Sequence, residues 1–308
     1  MRRSTCLSLV ALAGLSGLSL VVSGVAPAAT TAAPQAHRAI VNAPRHGSLV
    51  SSQRASGTRN AAWTATNWSG YGENLDVTGV TGTWTIPAVS ATSSPTYSSM
   101  WVGTDGFSNG KLIQAGSEQD YFSGATHYDC WWEILPAAET QLSTTTYPCA
   151  PGNTMVVDIY ETAGSVTSGG KTKNVWVITM ANLTKGWLYS TTQGYLGGVT
   201  TGTDKGAAKS AEWIIEAPQV NGSTATLSHY TINPPAGSGA FRSVGITTAV
   251  TPVGAGAPKF VPAGLSYTAD SGTMVQANVI VSSPSQLNTA ATAFNMAYGP
   301  TTPAAPTN

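Results

Sequence analysis

The chain has 308 residues, 42% of them hydrophobic, only 9% charged, and its formal net charge is zero. The apolar share is ample for the core of one large domain or two small ones, while charge is far below the roughly 25% of an average soluble domain. Sparse charge beside abundant Gly, Ser, Thr, Val, Tyr and Trp predicts an all-β protein with an uncharged polar surface. It excludes the basic patch of a nucleic-acid binder, and such a surface suits an acidic medium because it gains little charge as carboxylates protonate.

In chain order, residues 1–26 read as a signal peptide: Arg2 and Arg3, then an apolar stretch over 7–25, then small residues at Ala26-Pro27-Ala28-Ala29. The product is a secreted, extracellular protein with no membrane attachment after cleavage. Residues 27–60 form a basic prosegment rich in Ala, Ser, Thr, Pro and Gly. The first 60 residues carry six Arg and no acid, whereas residues 61–308 carry eight Lys or Arg against fourteen Asp or Glu. That split predicts a leader that covers an acidic cleft through Arg38, Arg45, Arg54 and Arg59 and is released by acid, with cleavage in the loose stretch around His46 to Gly57. A plain disordered linker is the alternative.

From about Trp63 short alternating runs separated by Gly, Ser, Asn or Pro continue almost to the end. Gly79 to Ile86, Asn174 to Met180, Ala225 to Ile232 and Met274 to Val281 are predicted strands, with Val80, Trp84 and Ile86 on one face. No long amphipathic helix and no fixed repeat is evident. The expected architecture is an antiparallel β-sandwich over residues 61–298, followed by a flexible tail over 299–308. In an oxidising compartment Cys130 and Cys149 are expected to form a disulfide, worth about 3 kcal/mol by chain entropy. With no CxxC, no HExxH and only His127 and His229 in the domain, no metal site is expected.

Polar residues interrupt several apolar strands. Glu212 sits in Ser210-Ala211-Glu212-Trp213-Ile214-Ile215-Glu216 and Gln114 in Lys111-Leu112-Ile113-Gln114-Ala115-Gly116. A carboxylate on such a strand is costly without a job or a partner. Period-two alternation puts Trp101 with Asp105, Gln114 with Gly116 and Glu118, Asp129 with Trp131 and Glu133, and Glu212 with Glu216. Singly, each is the ordinary outward face of a sandwich strand. Together, on the concave side of one bent sheet, they make an acidic, aromatic-walled groove.

Five segments taken in order resemble the glutamic peptidases, or eqolisins, a family of secreted acid endopeptidases. They are Asn67-Trp68-Ser69-Gly70-Tyr71, Trp101-Val102-Gly103-Thr104-Asp105-Gly106, Leu112-Ile113-Gln114-Ala115-Gly116, Tyr128-Asp129-Cys130-Trp131-Trp132-Glu133, and the Glu212 segment. The resemblance implies a concanavalin-like jelly-roll sandwich of two seven-stranded antiparallel sheets and a catalytic pair, Gln114 and Glu212. Trp68, Trp101, Asp105, Glu118, Asp129, Trp131, Glu133 and Glu216 would bind substrate or support the pair. Glu118, Leu135 and Ala217 depart from the usual family pattern and bear on specificity.

Glu212 would act as general base on a water that attacks the scissile carbonyl, with the Gln114 amide donating to the oxyanion. A neutral amide partner would let Glu212 ionise near its reference value of about 4.3. No cofactor is required, the partners are protein or peptide substrates and the enzyme's own prosegment, and a monomer is expected. Two other readings compete: a jelly-roll glycoside hydrolase and a non-catalytic carbohydrate-binding module. Glu212 and Glu216, about 13 Å apart on one strand, are too distant for glycosidase carboxylates, which stand about 5 to 9.5 Å apart, but a cross-strand pair of Glu133 with Glu212 stays open. The sequons at Asn67, Asn182 and Asn221 are candidate glycosylation sites.

Overall fold

Alternation along the strand Ala211–Glu216 sorts its six buried residues into two sets. Ala211, Trp213 and Ile215 enter the main hydrophobic core, while Ile214 joins a second cluster with Trp63, Trp68, Trp101, Phe107, Leu112 and Trp131. The same sorting repeats on the neighbouring strands: Met100, Val102, Ile113 and Ala115 face the core, and Trp101 and Trp131 face away. A sheet buried on both faces follows, one face apolar and the other aromatic and acidic.

The computed structural model describes His46, the backbone of the strand Ser51–Arg54, and residues 63–201, 205–262 and 269–307. The signal segment, the rest of the leader with Arg38, Arg45 and Arg59, and the side chain of Arg54 lie outside the described residues. Among those described there is no helix, and so none long and apolar enough to cross a membrane.

Two sheets form the sandwich. The larger runs Ser51–Arg54, Trp63–Ala65, Ala269–Gln276, Trp68–Glu73, Ala211–Glu216, Ser99–Thr104, Ile113–Phe122, Ala125–Ile134, Thr140–Gln141, with Val279–Pro284 and Met296–Tyr298 attached at one side. Its eleven described strands exceed the expected seven because a leader strand, two C-terminal strands and the two-residue edge strand Thr140–Gln141 add to it. The other sheet has the expected seven, ordered Trp187–Tyr195, Lys171–Asn182, Thr154–Ser168, Gly79–Thr85, Phe241–Thr247, Val261–Pro262, with Ala293–Phe294 on Phe241–Thr247. Pairing is antiparallel between named strands except where Trp63–Ala65 lies parallel to Ala269–Gln276.

Indole donors sew the sheets together across the core: Trp213 Nε1 donates to Thr81 O at 2.7 Å and Trp84 Nε1 to Ser117 Oγ at 3.0 Å. Gly82 lets the sheets approach this closely, since a Cβ there would lie 2.7 Å from Val102 Cγ1. The disulfide joins Cys130 of the large sheet to Cys149.

Two strand expectations are corrected. Residues 225–232 are mostly irregular, with only Tyr230–Thr231 in a strand, because their hydrogen bonds go to Pro218, Tyr97 and Ser90 in surrounding loops rather than to a ladder. Residues 274–281 form a hairpin, turning at Ala277 and Asn278 with φ of 49° and 63°. In the tail, Ala304 O accepts from Asn295 Nδ2 at 2.9 Å and Thr307 N donates to Gly237 O at 3.1 Å. Of the three sequons, Asn67 and Asn182 are buried and Asn182 spends both side-chain ends on the backbone and on Asn153, so an oligosaccharide fits only at exposed Asn221.

Candidate active site

Register across the large sheet places six residues side by side on its aromatic face. Asp270 pairs with Gly72, Gly72 with Glu212, Glu212 with Gly103, Gly103 with Gln114, and Gln114 with Glu133. Paired residues point to the same side, so Gln114 and Glu212 stand on one face two strands apart, about 9 to 10 Å between backbones. Gly103 stands between them with no side chain, and a Cβ there would lie 3.0 Å from Gln114 Cβ and from the Trp101 ring. Gly72 flanks Glu212 on its other side, where the Phe107 ring occupies the space a Cβ would need. Neither glycine was singled out by the sequence, although Gly103 lies at the centre of a quoted motif.

The next same-face positions complete the groove. Ile214, Trp101, Gly116 and Trp131 lie abreast, and beyond them Trp68, Glu216, Ser99, Glu118 and Asp129. The expected convergence of four strand faces is thus what the ladder produces. Trp68 stacks edge-on against Trp101 with ring centroids 4.9 Å apart, Trp101 Nε1 donates to Glu216 Oε2 at 2.8 Å, and Gln141 Nε2 donates to Asp129 Oδ2 at 2.7 Å. Leu135 packs on the Trp cluster, and Ala217 is buried with its N–H on Asn67 O at 2.8 Å.

Asp105 departs from simple alternation. The strand ends at Thr104, and Asp105 turns with φ of 67°. Its carboxylate accepts hydrogen bonds from Asn109 Nδ2 at 2.8 Å, Gly198 N at 2.9 Å and Lys209 N at 2.9 Å, and from the Tyr195 hydroxyl. It therefore pins three loops beside Glu212 rather than lining the groove wall.

Glu212 is fully buried and neither carboxylate oxygen makes a hydrogen bond. Burial pushes its pKa well above the ordinary value; the nearby Ser210 hydroxyl opposes this and the Asp105 charge adds to it. Ionisation near 4.3 is thus not what the closed groove allows. Gln114 Nε2 donates to Glu133 Oε2 and to the backbone carbonyl of His46, each at 3.0 Å.

His46 is a residue of the leader, and its place was not foreseen. Its ring lies flat on Trp131, centroids 3.6 Å apart and planes 7° from parallel. Nδ1 is 3.2 Å from Glu216 Oε2, Nε2 is 3.0 Å from Glu139 Oε2, and the backbone N–H donates to Glu133 Oε2 at 3.2 Å. Burial lowers the ring's pKa, but hydrogen bonds and charge from Glu139 and Glu216 outweigh that and raise it to about 9. Glu216 is raised from its ordinary value by burial, against hydrogen bonds and charge from His46 and a hydrogen bond from Trp101. Glu139 was missed because it lies outside any strand-like run.

Each of His46, Glu216 and Glu212 holds its proton more tightly than at its ordinary value, and for Glu216 the His46 ring works against that rise. The expected acid release of the leader rests on arginine attraction instead, and the arginine contacts lie outside the described residues. The glycosidase pair also fails: Glu133 and Glu212 are three strands apart, about 14 Å between backbones, with Gln114 between them.

The sequence profile of the Peptidase A4 family matches residues 66–283. Aspergillopepsin-2 of Aspergillus niger is 30% identical over 186 residues, which cover 53% of this chain and 59% of that protein. The chain thus spans about six-tenths of the length of that curated relative. Scytalido-glutamic peptidase, solved with a transition state analog inhibitor, superposes with a TM-score of 0.54 at 20% identity, covering 76% of this chain and 98% of that one. A second structure of it, with a peptide-based analog, gives 0.53 at 20% identity over the same shares of the two chains, and both likenesses speak to the fold. With the profile spanning most of the sandwich, including Gln114 and Glu212, the chain belongs to the Peptidase A4 family, the glutamic peptidases or eqolisins.

Proposed function

We propose that the protein is a secreted acid endopeptidase that hydrolyses peptide bonds with Gln114 and Glu212. The observation that carries this is the Glu212–Gly103–Gln114 row: a carboxylate and an amide on one face, with no side chain at the position between them, where a carbonyl and a water would be handled. Ionised Glu212 takes a proton from that water as its oxygen bonds to the carbonyl carbon. Gln114 Nε2 donates to the oxyanion, and Glu212 returns the proton to the leaving nitrogen as the C–N bond breaks. Glu133 accepts from Gln114 Nε2 and so orients the amide, whose Nε2 also donates to the His46 carbonyl. Desolvation is the largest cause of the raised Glu212 pKa, so the attacking water, once beside the carboxylate, favours its ionised form.

The leader acts as the enzyme's own inhibitor. His46 supports this, since its carbonyl occupies the Gln114 donor and its ring covers Trp131. Glu212→Gln and Gln114→Ala should fold and lose nearly all activity on denatured casein at pH 3–4, with no activity on β-glucan in any form. Full activity of folded Glu212→Gln protein refutes the pair. Full-length protein held at pH 7 and then pH 3.5 should gain activity only as its mass falls; immediate activity with the leader intact makes the leader a linker.

A further inference from the structure

His46 does more than block the groove, because it is seated as a substrate residue would be. Its carbonyl oxygen accepts from Gln114 Nε2 at 3.0 Å, the donor assigned above to the oxyanion, and its N–H is held by Glu133. Its side chain fills a built subsite: an indole floor at Trp131, Glu139 at one ring nitrogen and Glu216 at the other. Trp131, Glu133 and Glu216 are buried, and Glu216 is fixed in turn by Trp101 Nε1. We propose that this subsite recognises a histidine side chain on the acyl side of the scissile bond, and that the His46–Gly47 bond is the enzyme's own first substrate.

The chemistry of the subsite selects an imidazole over other side chains. Two carboxylates placed at the two ring nitrogens match a doubly protonated imidazole, which is flat enough to lie on the indole. A lysine ammonium offers charge without a plane, a phenyl ring offers a plane without donors, and an alanine offers neither. A site built to bond two N–H groups discriminates against analogues that lack them, because its buried acceptors are then left unpaired. The cleavage step balances with water alone: its oxygen bonds to the His46 carbonyl carbon, the bond to Gly47 nitrogen breaks, and the proton passes through Glu212 to that nitrogen. The strand Ser51–Arg54 lies beyond this bond and is already paired with Trp63–Ala65. Cutting after His46 therefore frees the residues before it and leaves the sheet complete.

This inference rests on the Gln114–Glu212 assignment, and the test separates the two. Full-length protein is matured at pH 3.5 and its new N-terminus read by mass spectrometry. The matured enzyme is then given quenched-fluorescence peptides that differ only in X of a central X–Gly bond, with X as His, Lys, Phe or Ala, at pH 4.5. The expected results are an N-terminus at Gly47 and a kcat/KM for His–Gly at least tenfold above the other three. Glu139→Gln should lower kcat/KM for the His peptide about tenfold and shrink the His-to-Ala ratio by a similar factor. An N-terminus elsewhere, equal rates for His and Ala, or a Glu139→Gln enzyme that keeps its His preference overturns the subsite. Cleavage that persists in Glu212→Gln overturns the catalytic pair instead.

Discussion

Replacing Gly103 with Ala tests the site at the position that has no side chain. Gly103 is flanked in register by Gln114 and Glu212, so a methyl there stands between the proposed oxyanion donor and the proposed base. The added Cβ would lie 3.0 Å from Gln114 Cβ, 3.0 Å from Ile113 O and 3.0 Å from an atom of the Trp101 ring. Each contact is a few tenths of an ångström too short, and one is to backbone, so Gln114 and Trp101 must give way. Overpacking of this kind costs about 1–3 kcal/mol, or roughly 2–4 °C in Tm per kcal/mol for a domain of this size. Catalysis should suffer more than stability, because displacing a reacting group by about 1 Å costs on the order of 100-fold in rate. Thermal melting beside kcat on a peptide substrate checks both. Gly116→Ala serves as the control: its Cβ would meet Trp101 Cβ at 2.5 Å and Met100 O at 2.6 Å, in the next row rather than between the pair. It should lose more stability and, where still folded, less kcat. A folded Gly103→Ala enzyme with unchanged kcat refutes the placement of the reaction over Gly103.

The remaining expectations concern pH and covalent structure. With the chain kept uncut by Glu212→Gln, closure should persist below about pH 6.5 and weaken as pH rises through about 9, because His46 is raised from 6.5 to about 9 on binding. Tryptophan fluorescence will follow Trp131 as the ring leaves it; opening on acidification instead would contradict the linkage. His46→Ala in the same background removes the ring from between Glu139 and Glu216 and should leave the groove open at pH 6, read as a fluorescence signal matching the alkaline form. Glu212 has a raised pKa, so its contribution to stability is full below about 4.5 and lost as pH rises through the folded value. Urea unfolding should therefore find the Glu212→Gln variant more stable than wild type near pH 7 and equal to it near pH 3. Reduction of the Cys130–Cys149 bond should lower stability by about 3 kcal/mol while leaving Gln114 and Glu212 in place, so residual activity per folded molecule stays near wild type.

The proposed catalytic pair was legible because its cost is local: Glu212 and Gln114 interrupt apolar strands, and period two then assigns their neighbours to a face. Ile214 and Trp101 fell on the groove side and Trp213 and Val102 in the core, as alternation requires. What could not be read is what depends on register between strands distant in sequence. Gly72 and Gly103 acquire meaning only because the ladder sets Glu212 between them. Asp105 was placed on the strand face, yet the chain turns there and the carboxylate serves Gly198 and Lys209, some hundred residues on. The hairpin at Ala277-Asn278 was taken for continuous strand because neither Gly nor Pro marks it, whereas Gly169-Gly170, with φ of 59° and 72°, turns the longest hairpin where glycine says it should. The leader's charge pointed to the groove, but arginine was the residue expected there. A histidine between two glutamates on a tryptophan is a match of shape and donors that net charge does not encode.

The strand Ser51–Arg54 ends one side of the large sheet and covers the ladder groups of Trp63–Ala65. An open strand edge is a template for pairing with another chain. A processing enzyme that trims the protein beyond Arg54 would uncover a short edge beside the buried Trp63 indole, whereas trimming after His46 keeps it sealed. Where the leader is cut therefore also sets whether the released protein stays dispersed at high concentration or begins to associate edge to edge. Two preparations of equal specific activity, differing by the eight residues 47–54, should part company on storage.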